Sequence, residues 1–237
     1  MQSTNARYQE LLASTHRMQT QLYIDNVVYG EEKIMEGSLQ TKNSLFQGDI
    51  PTVGGAVAGE ISVQLLGVAS SSVARMAELR PQVRLVGDSG EPSEWVAQGV
   101  YNVDKRSYSK QTGVLTLHGY DKMLATEQWY TGSVGTGGAV DIDIVNRVCT
   151  QVGITLDSET DSFFSASGKN YKVTNPRNYT CRELLQAIAG WYGGNWCMTP
   201  VGKLRLVLLN SLPKETNYLV DNGGNAITFG GDRILVG

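Results

Sequence analysis

The sequence predicts an α+β fold that is mostly antiparallel β, with a β-barrel in its first half and an α+β unit after it. Three observations carry this. Six strand-like runs fall between residues 17 and 120, and such close spacing favours an antiparallel sheet that curls into a barrel or sandwich. Beyond residue 121 the apolar spacing changes to that of amphipathic helices. The second of these helices opens on a capping box and runs into a hairpin pattern.

Residues 7–16 fit a short helix with Tyr8, Leu11 and Leu12 on one side. His16 is expected at its end, where a cation suits the dipole. Met18, Thr20, Leu22 and Ile24 then alternate with Gln19, Gln21 and Tyr23 as a half-buried strand. Asp25-Asn26 and residues 29–32 supply turns, and a second strand is expected over 33–41. Residues 43–58 are Gly-rich and irregular and read as an exposed loop. Residues 60–65 alternate strictly, with Ile61, Val63 and Leu65 toward the core. Val83 and Leu85 repeat the pattern over 81–86, after a breaking Pro81. The polar turn 87–93 makes a hairpin whose outgoing strand is 95–105. After the turn 109–113, the strand 114–120 sets Leu115 and Leu117 on one face, with Val114, Thr116 and His118 on the other.

The stretch GSVGTGG at 132–138 is the best boundary between units. A helix should follow, with Asp141 or Asp143 at its positive end and Val145, Val148, Cys149 and Val152 at i, i+3, i+4 and i+7. Gly153 can close it in a left-handed conformation. Thr180 and Glu183 form the capping box of the next helix, Leu184, Leu185, Ile188 and Ala189 its apolar stripe, and Gly193-Gly194 its end. Residues 195–198 and 203–208 read as a hairpin, and 230–237 as part of a further strand. The expected organisation is a helical segment at 1–16, a barrel at 17–131, an α+β domain of two helices and a hairpin at 139–213, and a C-terminal strand region at 214–237.

Composition excludes several classes. Of 237 residues, 41% are hydrophobic and 18% charged, a profile unlike that of a disordered chain. No apolar run approaches the ~18 residues of a membrane span, and the N-terminus lacks the apolar stretch of a secretory signal. With 23 acids against 20 bases and a net charge of −3, there is no bulk attraction to nucleic acid or anionic lipid. Neither membrane insertion nor specific nucleic-acid binding is expected. Cys149, Cys181 and Cys197 form an odd set without CxxC, so a disulfide framework is not expected and the chain reads as folded in a reducing cytoplasm.

Chemistry is sparse. GxxxxGK[ST], HExxH, GxSxG and EF-hand patterns are absent. The Gly-rich 132–138 precedes a helix, yet it lacks GxGxxG spacing and a Lys partner, so it reads as a linker. A catalytic thiol needs a basic neighbour, and only His16 and His118 supply an imidazole; His118 reads as a structural histidine. The carboxylate groups Asp141/Asp143, Glu31/Glu32 and Asp157/Glu159/Asp161 lie in turns or helix starts, where solvation and capping account for them. Trp129, Tyr130, Trp191, Tyr192 and Trp196 could make a sugar-stacking platform, or serve as core and interface anchors. No catalytic, cofactor-binding or metal-binding residue is assigned, no cofactor is expected, and the chain reads as a non-enzyme.

Three segments taken in order carry a resemblance. The first is Gly99-Val100-Tyr101-Asn102-Val103-Asp104-Lys105-Arg106 followed, after a turn, by Val114-Leu115-Thr116-Leu117-His118-Gly119-Tyr120-Asp121-Lys122-Met123-Leu124. The second is Glu183-Leu184-Leu185-Gln186-Ala187-Ile188-Ala189, then Gly193-Gly194-Asn195 and Pro200-Val201-Gly202-Lys203-Leu204. The third is Ile227-Thr228-Phe229-Gly230-Gly231-Asp232-Arg233-Ile234-Leu235-Val236-Gly237. Together they resemble the baseplate-hub or tail-tip-hub family of tailed phages and contractile injection systems, over roughly residues 20–237. Gly119 departs from the pattern, which often has Ala there.

The resemblance implies a hub-type first barrel, an α+β insertion domain and, at 214–237, the start of a second barrel. It implies a virion structural protein, assembled in the host bacterial cytoplasm: a homotrimer ringing the central channel of a phage or prophage tail and adapting the tail tube to the spike or tip. An acidic balance suits a channel that must not hold DNA. Because the second barrel only begins, the chain is expected to be a shortened hub, an N-terminal fragment or a divergent relative. The alternative is the N-terminal hub part of a tail-associated cell-wall hydrolase or glycan-binding tip. A weaker one is a free-standing carbohydrate-binding domain using Trp191 and Trp196.

Overall fold

The structure, a computed structural model, describes residues 4–88, 90–133, 137–169 and 171–209, and the backbone pairing of four short strands beyond them. Helix α1 (Ala6–Leu12) is capped by Asn5, whose side chain accepts from the Tyr8 amide at 2.8 Å. It ends short of the expected residue 16, because the Ser14 amide and hydroxyl both turn back onto the Leu11 carbonyl. His16 therefore opens strand β1 (His16–Ile24) instead of closing a helix, and pairs with Gly87.

Strand β2 (Val27–Tyr29) returns along β1 through the turn at Asp25-Asn26. The strand expected over 33–41 shrinks to a bridge between Ile34 and Leu65 and to β3 (Gln40–Lys42). Between them the backbone is spent on turns: the Lys33 and Ile34 amides bond to the Gly30 carbonyl, and the Ser38 amide to that of Met35.

Strand β4 (Glu60–Leu66) buries Ile61, Val63 and Leu65 as its alternation requires. Strand β5 (Glu78–Gly87) begins three residues before Pro81, so this proline does not break it. The Pro81 carbonyl accepts from Gln98, and a residue's amide and carbonyl point the same way in a strand. Its missing N–H therefore faces the gap where β5 changes partner from β7 (Tyr101–Ser109) to the short β6 (Val96–Ala97). The strand expected at 95–105 is divided at that same gap. Strand β8 (Val114–Asp121) buries Leu115 and Leu117 and leaves Val114, Thr116 and His118 half-buried.

The hydrogen-bonded order is β2-β1-β5-β7-β8-β4-β3, with β6 added on β5. Tyr29 ends β2 and Ile34 already bridges to β4, a reach of at most ~18 Å for five residues. Flat, the five spacings from β2 to β4 would measure ~24 Å, so the sheet must curl. Its concave side holds one apolar cluster, including Leu22, Ile61, Leu65, Leu79, Tyr101 and Leu117. No closing ladder joins β2 to β3 among the described residues.

The second half contains β9 (Ala139–Val140), α2 (Asp141–Val152), β10 (Thr155–Leu156), α3 (Ser158–Ser167), β11 (Lys172–Val173), α4 (Cys181–Tyr192), β12 (Gly194–Met198) and β13 (Lys203–Leu208). Three helices stand where two were expected. Helix α3 escapes periodicity because it buries only Thr160 and Phe164. Its N-cap, Asp157, accepts from the Glu159 amide. The capping box of α4 is complete, the Thr180 side chain accepting from Glu183 N and the Glu183 carboxylate from Thr180 N. Both α2 and α4 end on left-handed glycines, Gly153 and Gly193. The helices pack on a sheet ordered β10-β13-β12, around Phe164, Leu185, Ile188 and Trp196.

Within this core the Tyr192 hydroxyl donates to Asp141 at 2.5 Å, and both residues are buried. Removing one partner leaves the other desolvated and unpaired, at a cost of about 1–3 kcal/mol. Tyr192→Phe is therefore expected to lower unfolding stability by that amount in urea titration, with its far-UV circular dichroism unchanged.

Near the C-terminus β14 (Asn217–Tyr218) pairs with β17 (Leu235–Val236), and β15 (Thr228–Phe229) with β16 (Asp232–Arg233). The remainder of 210–237, with the expected second barrel, lies outside the described residues, as do positions 134–136 of the Gly-rich boundary.

Candidate assembly surface

The carboxylates singled out in the sequence do not converge. Asp141 is buried against Tyr192 while Asp143, two residues on, is exposed. Glu31 pairs with Arg17 at 3.3 Å and Glu32 is exposed. Burial opposes the charge of Asp157, but Arg205 donates to both its oxygens at 3.0 and 3.2 Å and holds its carboxyl below the ordinary range. Glu159 lies 3.5 Å from the same guanidinium, and Asp161 is exposed on α3. These groups cap and anchor α3.

The thiols are buried or half-buried, and burial pushes Cys149 up to about 12 and Cys181 and Cys197 up to about 11, away from the thiolate form. His118 lies on the outer face of β8, with Nε2 3.8 Å from Glu60 and its ring edge-on to Tyr120. No group of three or more His, Cys, Asp or Glu has metal-site geometry among the described residues. The aromatics divide. Trp196, Tyr130 and Tyr192 are buried, whereas Trp129 is 63% and Trp191 40% exposed. The Trp191 ring meets that of Tyr171, tilted at 5.3 Å, and Trp196, stacked on Phe164 in the core, is removed from any sugar platform.

What the fold builds instead is a fixed joint with open edges around it. The loop at 43–58 is not simply exposed. Gly54 donates to the Gly194 carbonyl at 2.9 Å, Trp196 to the Gly55 carbonyl at 2.8 Å, and Gly55 to the Asn195 side chain at 2.6 Å. The loop thus extends the second sheet beyond β12, with a parallel bridge from Ala56 to Trp196. Irregular backbone can be buried here because the neighbouring strand satisfies it.

A second tie lies at the end of β8. Asp121 accepts from the Gly59 amide at 2.8 Å and the Met123 amide at 2.9 Å, and burial pushes its carboxyl up to about 6. Arg182 of α4 donates to the Met123 carbonyl at 2.7 Å and to Thr126 at 3.2 Å, and pairs with Glu127 at 2.6 Å. Gly119, the departure noted in the sequence, is required by close approach. A Cβ there would lie 2.5 Å from the Asn102 carbonyl oxygen, beside the bulge between Val103 and Lys105. No local signal marks the roles of Asn195, Arg182 or the buried loop, because each depends on a contact distant along the chain.

Between sheet and hairpin lie two adjoining clefts. One, of about 400 Å³, is lined by Arg80, Lys122, Ile154, Pro200 and Val201; the other, about 340 Å³, by Leu45, Tyr101, Asp121, Met198 and Val207. The sheet margins are open. Val27 and Val28 of β2 are 56% and 49% exposed. β7 pairs with β5 only at Tyr101 and Asn102, so residues 105–109 have ladder partners on β8 alone. Open sheet margins are where another chain can add. No helix among the described residues is long and apolar enough to cross a membrane.

No family model matches the sequence, and no curated protein matches it. Solved structures do. The 43 kDa tail protein of prophage MuSo2 from Shewanella oneidensis superposes with a TM-score of 0.52 at 17% identity, over 82% of this chain and 56% of that one. A tail protein from Neisseria meningitidis gives 0.49 at 12% identity, covering 83% and 53%. The Francisella PdpA-VgrG complex gives 0.44 at 8%, covering 81% and 31%. The chain therefore spans about half the length of the first two. At such identities the first match establishes a shared fold: an α+β, mostly antiparallel architecture common to this chain and a prophage tail protein.

Proposed function

We propose that this chain is a structural component of a phage or phage-like tail, a homotrimeric hub around the central channel that adapts the tail tube to the spike or tip. The observation that carries the reading is the fold itself. A curled antiparallel sheet is tied rigidly to a helix-and-hairpin unit, and the pair is matched over 82% of the chain by a prophage tail protein. In this reading residues 17–131 and 139–213 are the two working units and 214–237 begins a second barrel. The open margins of β2 and β7 then serve chain-to-chain contacts, and the role requires no catalysis.

Light scattering on a sizing column, over a tenfold range of concentration, tests it. The expected mass is three times 25.8 kDa. A monomer at every concentration overturns the trimeric hub.

A further inference from the structure

We infer that copies of this chain join head to tail, the basic β7–β8 ribbon of one copy seating the acidic β5–β6 turn of the next; this rests on the hub reading and specifies its contact. The ribbon carries Lys105, Arg106 and Lys110, with Arg75 on the neighbouring loop, and all four are exposed. The one acid among them is Asp104. Arg106 donates to the Ser70 and Val73 carbonyls, and among the described residues none of the four cations has a carboxylate partner. Beside them runs the unpaired margin of β7.

The turn after β5 has the opposite character. Asp88, Glu91 and Glu94 are all exposed there, and the Glu94 carboxylate accepts from the Asn5 amide. Of the cations nearby, Arg7 pairs with Glu10 at 3.1 Å and Arg84 lies over the Trp95 ring.

Register places these two charges at opposite ends of the sheet. β5 and β7 meet only at Glu78–Asn102 and Leu79–Tyr101, and each then runs eight residues away from the meeting point, β5 to Gly87 and β7 to Ser109. At ~3.3 Å per residue the tips lie up to ~50 Å apart. They cannot neutralise each other within one chain, so their complementarity is satisfied between copies. A contact between two different patches is heterologous, and it closes into a ring when its rotation allows.

The test reverses charge at exposed positions and spares Arg106, which holds backbone. The Lys105→Glu/Lys110→Glu and the Asp88→Lys/Glu91→Lys variants should each weaken self-association at least tenfold by sedimentation equilibrium in low salt. A chain carrying all four changes should regain the wild-type mass, and added salt should weaken wild type and four-fold variant alike. Unchanged far-UV dichroism establishes folding, and Lys105→Gln/Lys110→Gln, expected to weaken association less, serves if a reversal misfolds. Trimers indifferent to the reversals, or a four-fold variant that fails to recover, overturn this contact and leave the hub reading standing. A wild-type monomer overturns both.

Discussion

Replacing Trp196 with Ala is expected to destabilise the helix-and-hairpin unit by about 3–5 kcal/mol, the cost of emptying a large aromatic site in a packed core. The side chain is fully buried, its indole N–H donates to the Leu185 carbonyl of α4 at 2.6 Å, and its ring stacks on Phe164 of α3 at 6.3 Å. One residue thus holds two helices onto β12, while its own amide holds the loop from the first sheet. Hydrogen exchange separates these roles. Amides of α3 and α4 should lose protection, and those of β4 and β8 should keep theirs. Trp196→Phe, which keeps the stacking and loses the indole donor, should cost less than the alanine change. A cost below about 1 kcal/mol for Trp196→Ala would contradict the packing described here.

Local signals were legible in the sequence where a few adjacent residues decide the outcome. The capping box at Thr180 and Glu183, the glycine stops at Gly153 and Gly193, and the alternation over Ile61, Val63 and Leu65 all stand in the structure as read. Errors arose where a distant partner decides. Pro81 looks like a breaker until its missing donor is seen to face a gap in the ladder. The loop at 43–58 looks exposed because nothing local announces that Asn195, about 140 residues away, will hold Gly55. Helix α3 carries no periodic signal for a different reason: two buried side chains make too narrow a stripe, and Arg205 supplies part of its anchorage through Asp157. The same limit applies to the proposed contact between copies. Exposed charges at Lys105 and Asp88 are unremarkable in a string of letters, and acquire meaning only once the register sets them at opposite ends.

The stability that Asp121 lends to the end of β8 should fall as pH rises from about 4 to about 7. Burial is the dominant influence on its carboxyl, raising it to about 6 against the two amide bonds and Arg182, which favour the anion. The folded chain therefore holds this proton more tightly than the unfolded chain does. The stability it contributes is complete below the ordinary carboxylate pKa and is lost as pH rises through 6. The span corresponds to about 3 kcal/mol.

Other carboxylates act in the opposite sense, Asp157 among them, so wild type must be compared with Asp121→Asn at each pH. The amide cannot titrate, and it offers one acceptor to the two amides of Gly59 and Met123, at a cost of about 1–3 kcal/mol. Wild type should exceed the variant in stability at pH 4 and surrender most or all of that advantage by pH 7, as read from urea midpoints. A difference independent of pH would show that the carboxyl is solvated and that the tie at the end of β8 is looser than its hydrogen bonds imply. A difference that grew with pH would show the anion to be the favoured native form, with Arg182 and the two amides outweighing burial.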